Sequence, residues 1–188
     1  MLDVIQVVFW SITYVLIVIA GVKSRKIRKV SMPYAALILN FTWEVCALWC
    51  SRGYYSHILW ASLDIPIVYF GYRYLKTSDA RAIYILSLLI GFLSMLYIYP
   101  LPNGALFSVF IIDLIMAICF LVERKKLSPY LKTPIAVTKL LGDAFAGLCY
   151  APASDLVAVI ALLVFACNVC YLGLCLMEPR ESRKAGSC

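Results

Sequence analysis

Charge is what this chain is short of. Only 14% of its 188 residues are Asp, Glu, Lys or Arg, against 64% hydrophobic ones, and the mean hydropathy is +0.91. That leaves too little polar surface to coat a soluble globule, so the chain reads as an integral membrane protein. Histidine occurs once, as His57, and no Cys-x-x-Cys pair is offered to water, so no zinc spacing exists and no metal or other cofactor is expected. An Asp-rich diphosphate-binding pattern is also missing, which argues against ionisation by metal-assisted loss of pyrophosphate. Internal repeats and paired helices broken by glycine or proline, the marks of many transporters, are not visible either.

What is present is a series of apolar runs. Measured against the roughly 20 residues a helix needs to cross a bilayer, they predict seven spans: 4–22, 32–50, 57–74, 82–99, 104–122, 134–151 and 156–177. The expected fold class is therefore all-α, a single polytopic domain over residues 1–188 built as a bundle of seven transmembrane helices. No soluble domain, long linker or low-complexity tract is left over.

The net charge of +7 raises nucleic acid as a partner, but the placement of the basic residues argues for the bilayer instead. Lys23, Arg25, Lys26, Arg28 and Lys29 follow the first span. Arg73, Lys76 and Arg81 bracket the third connection, Arg124, Lys125, Lys126 and Lys132 fill the fifth, and Arg180, Arg183 and Lys184 mark the tail. The other side has Arg52, His57 and no lysine. This positive-inside asymmetry puts the N-terminus outside or lumenal and the C-terminus in the cytoplasm. The first span lacks a basic n-region and a small-residue cleavage site, so it is not expected to be a cleaved signal. Most of the eight cysteines fall within spans and read as small apolar fillers rather than a disulfide framework.

Chemistry must then come from polar groups inside the spans: Asn40, Glu44, Asp64, Asp113, Lys139, Asp143 and Asn168. An ionisable side chain in hydrocarbon is costly, and by default marks a functional site. Glu44 is the foremost of them. Asn40 lies one helical turn before it and shares its face, so the amide can orient the carboxyl. Asp64 stands about as far beyond the turn at Arg52 and Gly53 as Glu44 stands before it. The two acids are expected at similar depth, roughly 10 Å inside the outer boundary, and two acids there should not both ionise. The others have plainer readings: Lys139 and Asp143 as an intrahelical pair, Asp113 as an interhelical bond, Asn168 as helix–helix glue. Trp43, Trp49, Trp60, Tyr54 and Tyr55 fit an interfacial belt as well as they fit a binding cage.

Taken together these segments resemble a family. Trp10 and Tyr14, the basic loop, Met32-Pro33 and then Asn40-Phe41-Thr42-Trp43-Glu44 are similar to the opening of the small integral-membrane terpene cyclases of fungal and bacterial meroterpenoid and indole-diterpene biosynthesis, of the paxilline and pyripyropene type. The third span from Trp60 through Asp64 to Tyr69, Lys139 to Asp143, and Asn168 to Cys175 resemble later helices of the same family. The resemblance implies a protonation-initiated cyclase acting on a lipophilic prenylated aromatic or indole, often epoxidised, that enters from the bilayer. Glu44 would be the proton donor, with Asp64 as second acid. Asn40, Trp43, Trp60, Tyr69, Asp113, Asp143 and Asn168 would meet the substrate, and the rings would shield cations and exclude water. It also implies an endoplasmic reticulum location in a fungus, a plasma-membrane one in a bacterium, and neighbouring pathway enzymes as partners. The family's second acid, three residues before a tyrosine in the last helix, falls here on Asn168. An asparagine cannot donate a strongly acidic proton, so either Asp64, Asp113 or Asp143 replaces it or Asn168 only orients the substrate oxygen. Two rival readings are a proton-coupled transporter using the same acids and a non-catalytic membrane scaffold.

Overall fold

In a computed structural model, residues 2–51 and 55–178 are described. Arg52, Gly53 and Tyr54, together with Arg180, Arg183, Lys184 and Cys188, lie outside the described residues. The chain forms seven α-helices: α1 (Leu2–Lys23), α2 (Tyr34–Ser51), α3 (Tyr55–Tyr74), α4 (Ser78–Ile98), α5 (Gly104–Glu123), α6 (Lys132–Tyr150) and α7 (Asp155–Met177), with a short 3₁₀ turn at Ala151–Ala153. No strand occurs among the described residues.

Local chemistry moves several boundaries away from the apolar runs. α4 begins four residues before its apolar stretch because Thr77 caps it: its hydroxyl accepts from the Ala80 amide at 3.2 Å. Charged residues of that first turn hide the start from a hydropathy reading. α2 starts after Pro33, whose carbonyl accepts from Leu37 at 2.9 Å, so the proline precedes the helix without interrupting it. Leu131, in the left-handed region at φ 58°, sets the entry to α6.

The helices α1, α4, α5 and α7 are each long and apolar enough to cross a membrane. α2 is apolar but shorter, over Tyr34–Cys50, while α3 and α6 do not reach that measure and carry Asp64, and Lys139 and Asp143, within them. Large side chains cover the outside. Leu162 is 68% exposed, and Ile83, Leu86 and Leu93 of α4 are each more than half exposed. An apolar exterior of that extent suits lipid rather than water.

Inside, α1 packs chiefly on α6 and α3, α7 on α6 and α5, and α2 on α3 and α4. The basic connections gather at one end. There the Ser128 amide donates to the Val30 carbonyl at 2.7 Å, Tyr74 donates to the Gly21 carbonyl at 2.7 Å, and an Arg28 Nη donates to the Arg73 carbonyl at 3.2 Å. At Gly142 a Cβ would come within 2.9 Å of Trp10 Cδ1. That glycine leaves room for the Trp10 indole where α1 packs on α6.

Candidate functional site: an aromatic cavity with two buried carboxyls

A cavity of about 510 Å³ lies toward the end opposite the basic connections. Helical spacing explains its walls. Trp10 and Tyr14 are one turn apart on α1, Asn40, Trp43 and Glu44 follow the i, i+3, i+4 pattern on α2, and His57 and Trp60 are three apart on α3. α5 contributes Phe110 and Asp113, and α6 contributes Tyr150.

The rings are held by their polar edges. Trp43 Nε1 donates to Ser108 Oγ at 2.9 Å and Trp60 Nε1 to Ser11 Oγ at 3.1 Å, so neither the buried nor the half-buried indole leaves its N–H unmet. The His57 ring sits between them, 5.4 Å from the Trp43 centroid and 5.9 Å from that of Trp60, edge-on to both. Tyr14 stacks on Trp60 at 6.3 Å.

Glu44 is only 4% exposed, and its Oε2 lies 2.9 Å from His57 Nδ1. A carboxyl taken out of water needs a partner, and this imidazole supplies one. The contact joins the second and third helices at the cavity wall. Composition alone gave His57 no role; its signal is that it stands near the start of α3, facing back across the hairpin to α2.

Asn40 does not bond to Glu44. Its amide donates to Tyr14 Oη at 2.7 Å and to Asp64 Oδ2 at 2.8 Å, tying α1, α2 and α3 together. Asp64 is therefore level with Asn40, one turn or ~6 Å deeper than Glu44. The equal depth expected for the two acids is corrected by this pairing. Asp64 is 2% exposed and stands behind Asn40, outside the cavity lining. Asp113 has the opposite situation: it lines the cavity and makes no hydrogen bond among the described residues.

Asp143 and Asn168 are also held away from the cavity lining. Lys139 Nζ and Asn168 Nδ2 both donate to Asp143 Oδ2, each at 2.5 Å, and Lys139 Nζ lies 5.2 Å from the Trp10 ring centre. The intrahelical pair and the interhelical asparagine bond expected from the sequence are thus present as one cluster. Its Asp143 Oδ1 and Asn168 Oδ1 are buried without a hydrogen-bond partner among the described residues.

Tyr69 is not brought to the cavity. It is 55% exposed and lines a separate hollow at the basic end. Five residues on a helix turn about 140° away from Asp64, so a side chain there leaves the face that packs against α2. No three His, Cys, Asp or Glu side chains gather as a metal-holding group, and no disulfide links cysteines, among the described residues.

Chemically, the arrangement offers one carboxyl paired to an imidazole, a second buried carboxyl facing the same space, an exposed third one from Asp3, and a wall of π faces. Compared with models of known families, with curated proteins and with solved structures, the chain finds no match.

Proposed function

We propose that this protein is a membrane-embedded terpene cyclase in which Glu44 protonates a prenylated aromatic or indole substrate. The observation that carries the reading is the Glu44 carboxyl, held 2.9 Å from His57 on the wall of an aromatic cavity of about 510 Å³. That volume lies in the range that takes a small organic ligand, roughly 300–1,000 Å³. The motif Asn40 to Glu44 adds its resemblance to the cyclase family.

In the proposed reaction the Glu44 proton passes to an epoxide oxygen or an alkene carbon. The epoxide C–O bond breaks, or the alkene π bond opens, and a tethered alkene supplies the electron pair for the new ring bond. The last cation loses a proton to a base, so the net change is an isomerisation. Cations in transit are stabilised by the faces of Trp10, Trp43 and Trp60, and the dry walls withhold the water that would quench them. Asp113 faces the same space and is the proton acceptor we assign; after product leaves, Asp113 releases that proton to water and Glu44 takes one up, which restores both groups. A carboxyl positioned in this way supplies general acid catalysis typically worth ~10²–10⁴-fold.

The same reading takes all seven helices as spans, with the charged side chains of α2, α3 and α6 (Glu44, Asp64, Lys139 and Asp143) turned into the bundle. The N-terminus and the cavity face the outer or lumenal side. The membrane would be the endoplasmic reticulum in a fungus or the plasma membrane in a bacterium, where an oily substrate reaches the cavity from the bilayer.

The test is Glu44→Gln in isolated membranes incubated with epoxy-farnesyl phenols and epoxy-geranylgeranyl indoles, with products followed by mass spectrometry. Cyclised product from the parent chain and its loss from the variant are expected. Cyclisation at the parent rate by the variant would overturn the acid role, and proton-coupled uptake into proteoliposomes that depends on Asp113 would point to transport instead.

A further inference from the structure

The basic end holds a second hollow, of about 580 Å³, that the cyclase reading does not use. Four of its lining residues are arginines: Arg25 and Arg28 from the segment after α1, Arg73 from the end of α3, and Arg81 from the first turn of α4. Tyr69 and Tyr74 add two phenol rings, and no lining residue is acidic.

Orientation in the membrane explains basic residues at this end, but it does not explain their sorting. The positive-inside preference counts lysine and arginine alike. The stretches 23–29 and 73–81 that hold these arginines also carry Lys23, Lys26, Lys29 and Lys76, and none of these lines the hollow. Every arginine of those segments turns in and every lysine stays out. Arginine differs from lysine in its planar fork of donors, which matches two oxygens of a phosphate at once.

The frame of the hollow is fixed by bonds that leave donors over. Arg28 reaches the Arg73 carbonyl at 3.2 Å, and Arg81 reaches the Leu75 carbonyl at 3.1 Å while its guanidinium lies 5.5 Å from the centre of the Tyr72 ring. Arg28 itself sits in the left-handed region, at φ 52°, which turns the chain back over the hollow. The guanidinium groups of Arg25 and Arg73 make no hydrogen bond or ion pair among the described residues. Four like charges around one space repel one another unless an anion joins them.

We infer that this arginine-lined hollow binds a phosphate or diphosphate group, carried on a lipid headgroup or free in solution. The exposed Tyr69 continues from the hollow along the lipid-facing side of α3, so an acyl or prenyl tail has a path beside it. Basic pockets between helices on the cytoplasmic side are suited to such headgroups. The site is independent of the cavity at the other end and of any reaction there.

The experiment uses the full chain in detergent and follows thermal unfolding against sodium pyrophosphate, and against phosphatidic acid or phosphatidylcholine in mixed micelles. A rise in midpoint with phosphatidic acid alone assigns a lipid headgroup; a rise with pyrophosphate as well assigns the phosphate group itself. Arg25→Lys with Arg73→Lys keeps the charge but loses the forks, and is expected to weaken binding about tenfold. Lys23→Gln with Lys26→Gln removes two charges outside the hollow and is expected to leave binding unchanged. The inference fails if neither phosphate probe raises the midpoint above phosphatidylcholine. It fails equally if the lysine pair matters as much as the arginine pair, since charge alone would then account for the effect.

Discussion

Removing Lys139 tests the buried cluster beneath the cavity. Its side chain and that of Asp143 are each 1% exposed, and Nζ–Oδ2 is 2.5 Å. Stranding one member of such a pair costs about 3–5 kcal/mol, because the remaining charge keeps its desolvation penalty. Asn168 still donates to the same Asp143 oxygen, so Lys139→Met belongs near the lower figure, about 3 kcal/mol. Adding Asp143→Asn removes the stranded charge while keeping an acceptor for Asn168. What stays lost is the ammonium near the Trp10 ring, 5.2 Å from its centre, a contact worth about 2 kcal/mol when desolvated. The double variant should therefore be more stable than either single one, with a coupling of about 1–3 kcal/mol. Denaturant or thermal unfolding of all four proteins in one detergent measures this cycle. A double variant no more stable than Lys139→Met would refute the reasoning, because the loss would then come from packing and not from an uncompensated charge.

Three further outcomes follow from the cavity and the charge map. His57→Phe keeps a ring between Trp43 and Trp60 but removes the bond to Glu44, so under the cyclase reading turnover should fall by about 10–100-fold with the fold retained; product assays beside thermal unfolding check both halves. Asp113→Asn should lower cyclisation with little loss of stability, about 0.5 kcal/mol or less, since no described hydrogen bond is broken; loss of the fold instead would show Asp113 to be structural. In a chain retaining only Cys50, a membrane-impermeant maleimide should label sealed inverted vesicles only after permeabilisation, whereas a cysteine placed at Lys126 should label at once; the reverse pattern would overturn the proposed orientation.

The helices were legible because each apolar run is bounded by charge or by Pro and Gly, and composition needs no partner to declare itself. Their ends were less so. The start of α4 depends on the Thr77 cap, and a hydropathy pattern does not register a cap made among charged residues. Within one helix the site also showed itself, since Asn40, Trp43 and Glu44 share a face by spacing alone. Relations between helices did not. Whether Glu44 faces Asp64 or His57 depends on the register of α2 against α3, which spacing within one helix does not fix. Asp113 is a lone acid in an apolar run, and nothing local distinguishes a cavity-facing carboxyl from one bonded to a neighbouring helix. The arginine hollow was hidden similarly: lysine and arginine alternate along the sequence, and only the fold sorts them.

The departure at Asn168 can now be argued from contacts. If a second carboxyl has taken the part of the acid implied there, three residues were open: Asp64, Asp113 and Asp143. Asp64 accepts from Asn40, and Asp143 accepts from both Lys139 and Asn168. Each is spent on joining helices, and neither lines the cavity. Asp113 alone of the three does, on the same space as Glu44. Asn168 then has a structural reason to be an amide: a carboxylate at that position would bring a second negative charge against Asp143, with Lys139 the single cation bonded to that cluster. The buried polar groups thus divide by function in the proposed enzyme. Asp64, Lys139, Asp143 and Asn168 are bonded between or within helices away from the cavity lining, while Glu44 and Asp113 meet whatever the cavity contains.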